Sequence, residues 1–212
     1  NPQTTTIDAL NDKFERAKRS SHINYSFFFG ATNTNSETIK QLDKHLVPAV
    51  KLFMGASTGN MLVDRRNALE SIFATAAAEG LPVMTHCEDS GIINENMKAA
   101  KARYGDDPDI SHHYEIRSEK ACCESSRLAV ELALKHKTRL HIAHLSTARE
   151  LDLLQQPHVR DFVTMEAVIA HLYFTNDDYA TKRALIKCNP SVKTAHDRAE
   201  LRRALADGRI TT

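Results

Sequence analysis

The stretch Val50-Lys51-Leu52-Phe53-Met54-Gly55 is a short apolar run that reads as a buried strand with one charged residue inside it. Two later stretches share this form, an apolar run that ends in polar residues: Leu81-Pro82-Val83-Met84-Thr85-His86-Cys87-Glu88-Asp89 and His141-Ile142-Ala143-His144-Leu145-Ser146. Each places a potential metal ligand near the carboxyl end of a predicted strand. In parallel sheets and barrels, chemistry is concentrated at those strand ends. The three stretches therefore predict a metal-dependent enzyme.

Helical and strand-like segments alternate about five times along the chain. Predicted helices cover roughly 6–19, 36–46, 63–79 and 118–137, and two more begin at 147 and 194; predicted strands cover 23–29, 49–54, 81–85, 139–144 and 162–168, with a short extended run at 185–188. The long segment 90–117 is predicted to be an excursion near the active site. Such alternation favours a parallel sheet with helices outside it. A doubly wound sheet and a barrel both fit this pattern, so alternation alone does not separate them.

Composition excludes several classes of partner. The 28 Lys and Arg residues nearly balance the 27 Asp and Glu residues, for a formal charge of +1, so neither nucleic acid nor a membrane surface is expected to bind. No apolar stretch is long enough to span a bilayer. The four cysteines form no CxxC pair, which argues against a zinc ribbon or a disulfide scaffold and favours reduced thiols in the cytoplasm. We expect one domain over residues 1–212.

Three histidines at strand ends are the first candidates for metal ligands. A neutral imidazole can bind zinc through one nitrogen while its other nitrogen donates a hydrogen bond. His86 directly follows its strand. Along a strand, His141 and His144 would point to opposite faces, so at most one is a direct ligand. His144 is the better candidate because it is nearer the end of the strand.

Lys51 is unusual because its neighbours in sequence are apolar. One interpretation is a salt bridge or a side chain that extends to solvent. The other is that burial beside cations lowers the pKa of the amine and makes it a nucleophile. A neutral amine can add carbon dioxide and form a carbamate, whose two oxygens can each bind one metal ion.

Other histidines receive simpler interpretations. Residues His112 and His113 lie in the long segment and, with Arg117, are candidates for groups that line the pocket or support the ligands. The remaining five are predicted to face solvent: His22, His45, His136, His158 and His196.

Four ordered motifs together resemble those of a known family. They are Lys-Leu-Phe-Met-Gly-x-Ser-Thr-Gly-Asn-Met at 51–61, Thr-His-Cys-Glu-Asp at 85–89, His-Ile-x-His-Leu-Ser-Thr-Ala at 141–148 and Lys-Cys-Asn-Pro at 187–190. This set, which covers essentially the whole chain, is similar to that of the bacterial-type dihydroorotases, cyclic amidohydrolases close to allantoinase and dihydropyrimidinase.

The resemblance implies a TIM-type (β/α)₈ barrel with two zinc ions bridged by carboxylated Lys51. It also implies that His86 and His144 bind the second metal and that Asn189 lines the pocket of a small-molecule substrate. The implied reaction is the reversible hydrolysis of dihydroorotate to N-carbamoyl-aspartate in pyrimidine biosynthesis. A sister enzyme acting on hydantoin, dihydropyrimidine or allantoin, and a non-catalytic scaffold, remain alternatives. Whether the protein is a homo-oligomer stays open.

The resemblance also implies residues that this chain does not contain. A His-x-His pair and a substrate-binding arginine are expected upstream of Asn1, and the catalytic aspartate beyond Thr212. We therefore expect an interior piece of a longer protein, incomplete as a barrel and inactive alone. Two internal departures from the family pattern put substrate affinity in question: Ala170-His171 replaces a usual His-His, and Ser191 replaces a common second proline.

Overall fold

A computed structural model describes residues 2–55 and 61–212. Asn1 and positions 56–60 of the first motif lie outside the described residues. The strands are β1 (Phe29–Gly30), β2 (Val50–Phe53), β3 (Val83–His86), β4 (Leu140–Ile142) and β5 (Val163–Met165). The α-helices are α1 (Ile7–Ser20), α2 (Arg66–Ala78), α3 (Ser90–Tyr104), α4 (His113–Ile116), α5 (Glu119–His136), α6 (Val159–Phe162), α7 (Ile169–Tyr173), α8 (Tyr179–Lys182) and α9 (Ala195–Ala206).

The five strands of the described residues form one parallel sheet in the order β1-β2-β3-β4-β5. Spatial order and chain order therefore agree. A doubly wound sheet reverses its strand order at a switch point, and no reversal occurs across these strands. The sheet winds in one direction, as the strands of a (β/α) barrel do.

The two faces of the sheet differ in burial because successive side chains point to opposite sides. Val50, Leu52, Val83, Leu140 and Ile142 are buried on the face that the helices cover. On the other face, one row of paired residues crosses the sheet: Gly30, Lys51, Met84, His141 and Thr164. The candidate lysine thus lies on the face away from the main core, which in a barrel is the interior.

Helix ends agree well with the sequence signals. The Thr6 side chain caps α1 by accepting from the amide of Ala9. The predicted start at Thr194 is confirmed as a capping box, in which Thr194 and Asp197 each bind the other's backbone amide. Such caps satisfy amides that have no partner within the helix.

Four sequence expectations about segments need correction. Only Phe29–Gly30 of the predicted strand 23–29 pairs with the sheet, and Ile23 is 80% exposed. Predicted helix 36–46 and the helix expected from 147 are short 3₁₀ helices, Ser36–Gln41 and Arg149–Gln155. The run 185–188 was expected to be extended, but Arg183–Ile186 is a 3₁₀ helix. The two strand-like runs have no neighbouring strand with which most of their residues pair among the described residues.

Segment 90–117 is largely helical, since it contains α3, a 3₁₀ turn at Ile110–His112 and α4. Of the five histidines predicted to face solvent, four are exposed. The prediction is wrong for His136. Its Nε2 lies 2.5 Å from Glu70 Oε2, which holds the ring half-buried between α5 and α2.

Within residues 2–55 and 61–212, none of the helices has the length and apolar content needed to cross a bilayer.

Candidate metal centre at the strand ends

The candidate ligands come from three neighbouring strands. Lys51 lies in β2, His86 is the last residue of β3, and His144 follows β4 by two residues. The register pairs Lys51 with Met84, so the lysine is two positions deeper in the sheet than His86. Adjacent parallel strands therefore carry all three to one side of the sheet and toward one end.

The structure brings His86 and His144 together. Nδ1 of His86 lies 3.2 Å from Nε2 of His144, and the two ring centroids are 4.9 Å apart at a near-perpendicular angle. Zinc–nitrogen bonds of about 2.0–2.1 Å at a tetrahedral angle separate two ligand nitrogens by roughly 3.3 Å. The spacing of these two nitrogens suits a shared metal ion.

His144 is held in an uncommon backbone conformation by the neighbouring strand. Its φ of 43° falls in the left-handed region, which few non-glycine residues adopt. Its amide donates to Oε1 of Glu166 at 3.1 Å, and the next amide, of Leu145, donates to the Glu166 carbonyl at 2.7 Å. Left-handed residues of this kind concentrate at functional sites.

His141 lies in the same row of the sheet as Lys51, and His144 contacts His86 on that side, so the expectation of opposite faces is wrong. The chain turns into a left-handed conformation at His144, where strand alternation no longer applies. His141 nevertheless has different partners from His144. Its Nε2 lies 3.1 Å from Glu166 Oε2, and its Nδ1 lies 2.8 Å from Thr164 Oγ1. Both ring nitrogens of His141 therefore have partners on β5 or just beyond it. The choice of His144 over His141 as the ligand agrees with this geometry.

Partial burial favours the neutral form of the His144 ring. Burial is the main cause that lowers the pKa of His144 to about 3, and the nearby His86 and Lys51 lower it further. Its Nδ1 is buried without a hydrogen-bond partner among the described residues. A neutral imidazole is the form that binds a metal ion.

Lys51 has the environment of a reactive amine. Burial lowers the pKa of Lys51, although the nearby Cys87 and Glu166 oppose the shift. Its Nζ lies 5.2 Å from the centroid of the Phe53 ring, which in turn lies 5.6 Å from the His86 ring. The lysine and the histidine pair thus flank the same aromatic side chain.

A glycine allows the loops after β2 and β3 to meet. A Cβ added to Gly55 would lie 1.5 Å from the backbone oxygen of Glu88. No larger residue fits without moving one of the two backbones. Gly55 therefore allows the end of the Lys51 strand to lie in close contact with the loop after His86.

Asn189 contacts the long helical segment through His113. Its Oδ1 is 3.1 Å from Nε2 of His113, and the same nitrogen is 3.0 Å from the carbonyl of Cys188. Burial lowers the pKa of His113, which favours the neutral ring. His113 thus supports the loop that carries Asn189, in keeping with the role considered for it from sequence.

The Asn189 loop is tied to the loop of His144 by a buried lysine that sequence analysis did not identify. Lys193 is 4% exposed, and its Nζ donates to Ser191 Oγ at 2.9 Å and to Ser146 Oγ at 3.3 Å. Ser191 Oγ in turn donates to the carbonyl of Arg117 at 3.0 Å. The serine that replaces a common proline therefore makes hydrogen bonds that a proline could not make.

The described residues hold no complete set of metal ligands. They contain no cluster of three or more His, Cys, Asp and Glu side chains with ligand spacing. The close nitrogens of His86 and His144, the buried unpartnered Nδ1 and the amine of Lys51 nevertheless suit a metal held by two imidazoles and a carboxylated lysine.

Two acidic residues near the histidines were missed from sequence. Glu88 lies in the second motif, just after the predicted strand 81–85, whereas Glu166 lies inside the predicted strand 162–168. In the structure both follow a strand closely, β3 and β5, at the same end as the candidate ligands. An acid at a strand end is the sequence signal that marks Glu88.

Known proteins resemble the chain in sequence and structure. No protein-family model matches it. It is 30% identical over 212 residues to a dihydroorotase of Halobacterium salinarum and 29% identical over 212 residues to an allantoinase of Bacillus velezensis, covering 99% of this chain and 46% of each relative. The L-hydantoinase (dihydropyrimidinase) of Arthrobacter aurescens superposes with a TM-score of 0.92 at 25% identity, covering 100% of this chain and 47% of that one.

The chain spans about half the length of the curated relatives it matches. The likeness to the hydantoinase, together with the one-directional parallel sheet, confirms the predicted fold class, part of a TIM-type barrel. Dihydroorotase, allantoinase and hydantoinase are the names carried by these relatives and neighbours. In sequence and fold, the chain is similar to these cyclic amidohydrolases.

Proposed function

We propose that the complete protein containing this chain is a metal-dependent hydrolase of cyclic amides and that its substrate is dihydroorotate. The observation that carries the proposal is the approach of His86 Nδ1 to His144 Nε2, 3.2 Å apart, beside the strand that bears Lys51. The expected products follow from cleavage of the ring C–N bond by water, which gives N-carbamoyl-aspartate.

Each ligand has a distinct task in this proposal. The lone pair of the Lys51 amine adds to the carbon of carbon dioxide, and loss of one proton leaves a carbamate anion. Its lowered pKa favours the neutral amine that this addition needs. His86, His144 and the carbamate of Lys51 would together hold the metal. Bound zinc would supply a Lewis acid for the ring carbonyl and lower the pKa of a water molecule.

Relatives support dihydroorotate as the first substrate to test. The Halobacterium relative named dihydroorotase matches along 99% of this chain, as do two further relatives of that name from Methanosarcina species. Allantoin is the second candidate, because relatives named allantoinase match at similar identity. Location in the cytoplasm, assembly as a homo-oligomer and a single domain over 1–212 stay predictions.

Turnover by the complete, zinc-loaded protein tests the proposal. Dihydroorotate, allantoin, hydantoin and dihydropyrimidine are compared at equal concentrations, and we expect the highest kcat/KM with dihydroorotate. A higher kcat/KM with one of the other three substrates would contradict the choice of dihydroorotate and identify that compound as the substrate. Less than one zinc ion per chain, with no carbamate mass on Lys51 and no turnover, would identify a non-catalytic scaffold instead.

A further inference from the structure

Glu88 is a fully buried acid two residues beyond His86. Its relative exposure is 0%, and its Oε2 lies 2.9 Å from Nε2 of His86. The same oxygen accepts a hydrogen bond from Nη1 of Arg117. A buried carboxylate needs charge and hydrogen bonds to compensate its lost hydration. The guanidinium of Arg117 supplies them at Oε2, while Oε1 has no hydrogen-bond partner among the described residues.

This contact decides which nitrogen of His86 is available. Oε2 of Glu88 accepts from Arg117 and faces Nε2 of His86, so we assign the ring hydrogen of His86 to Nε2, which donates to that oxygen. In the neutral ring the lone pair then lies on Nδ1, the atom that faces His144 at 3.2 Å. A carboxylate behind an imidazole fixes the tautomer and ring orientation of metal-binding histidines in general.

Several contacts fix Glu88 in turn. Its backbone oxygen lies against Gly55, where a Cβ would come within 1.5 Å. The next residue, Asp89, donates its amide to the carbonyl of Ala121 at 2.9 Å and caps α3 through its side chain. Arg117, which follows α4, reaches Glu88 across 29 residues of chain. The acid is therefore held from three sides.

We propose that Glu88 is a positioning residue for the metal centre: held by Arg117, it directs Nδ1 of His86 toward the site shared with His144. The inference rests on the proposed function, since it requires a metal ion at that site. A carboxylate that served only as an internal ion pair would contribute to folding and leave metal affinity unchanged.

Zinc affinity of the complete protein, measured by competition with a chelator, tests the role of Glu88 without relying on turnover. We expect Glu88→Ala to weaken zinc binding by about 10–100-fold. Glu88→Gln should lose less zinc affinity than Glu88→Ala, because the amide oxygen of the glutamine can still accept from Nε2 of His86. The matched control is Glu150→Gln, another buried acid, which accepts from Ser126 at 2.5 Å and from Thr147 at 2.8 Å and contacts neither histidine. It should bind zinc with wild-type affinity.

Cobalt substitution provides a second readout, because the visible absorption of Co²⁺ reports ligand geometry. We expect an altered spectrum in Glu88→Gln and a wild-type spectrum in Glu150→Gln. Wild-type affinity and spectrum in a folded Glu88→Gln protein would overturn the positioning role. If Glu88→Ala does not fold, the comparison between Glu88→Gln and Glu150→Gln tests the positioning role by itself. A wild-type protein that binds no zinc would contradict the proposed function itself.

Discussion

Nδ1 of His86 and Nε2 of His144 lie 3.2 Å apart although 58 residues separate them in the chain. The contact exists because β3 and β4 are adjacent and parallel, so their carboxyl ends meet. One nitrogen can donate to the other when no metal is bound, and the same 3.2 Å separation suits two nitrogens that share a zinc ion.

Lys51 is expected to be essential for turnover by the complete protein. Lys51→Arg keeps a positive charge but cannot form a carbamate, because the guanidinium does not deprotonate. Loss of a metal bridge worth several kcal/mol should lower kcat/KM by about 10³-fold or more. The assay is steady-state turnover together with zinc content and intact mass. Lys187→Arg, at an exposed lysine, is the matched control and should retain activity. Wild-type turnover by Lys51→Arg would exclude the carbamate.

His113 is expected to act on substrate affinity through Asn189. His113→Ala removes the hydrogen bond to Asn189 Oδ1 and leaves kcat less affected than KM. The loss of one hydrogen bond corresponds to about 2–10-fold in KM. The adjacent His112, which stacks on Tyr104 and pairs with Glu115, offers the control His112→Ala. Equal KM values in the two variants would show that His113 does not position Asn189.

Gly55 is expected to tolerate no side chain. In Gly55→Ala the new Cβ would overlap the backbone oxygen of Glu88, so one of the two loops must move. We expect a loss of about 3 kcal/mol in the free energy of unfolding, measured by denaturant titration of the complete protein. Gly91→Ala is the control, because its Cβ would meet only the side chain of Asp89, at 3.1 Å, and alanine is favoured within a helix. Equal stability of the two variants would contradict the close approach.

Acid should weaken the contact between α2 and α5. Lys135, 2.8 Å away, and then His136 lower the pKa of Glu70 from 4.5 to about 2. Because the folded-state pKa is depressed, the pairing stabilises the fold above about pH 4.5, and this stabilisation is lost as the pH falls toward 2. Glu70→Gln should therefore flatten the fall in unfolding free energy across that window.

Urea titrations at a series of pH values measure this effect. Glu15→Gln removes the same charge at an exposed position of α1 and should leave the wild-type slope intact. A wild-type slope in Glu70→Gln would assign the acid sensitivity to other groups.

Much of the architecture could be predicted from local patterns. The runs around Val50 and Val83 are short and apolar, and Thr194 with Asp197 carries a complete capping signal, so these elements appear where expected. The prediction of an extended run at 185–188 is wrong, because Leu185 is 90% exposed and none of the five described strands pairs with this segment. An apolar run predicts a strand only when a partner edge is present.

The sequence by itself determined that strands and helices alternate, that Lys51 lies within an apolar strand and that His86 and His144 lie at strand ends, because these properties depend on residue order and periodicity. Only the tertiary structure decided which atoms meet. The pairing of Glu88 with His86 and Arg117, and of His113 with Asn189 across 76 residues, depends on strand register and on the paths of loops. Those are set by packing among distant segments, which no local pattern encodes.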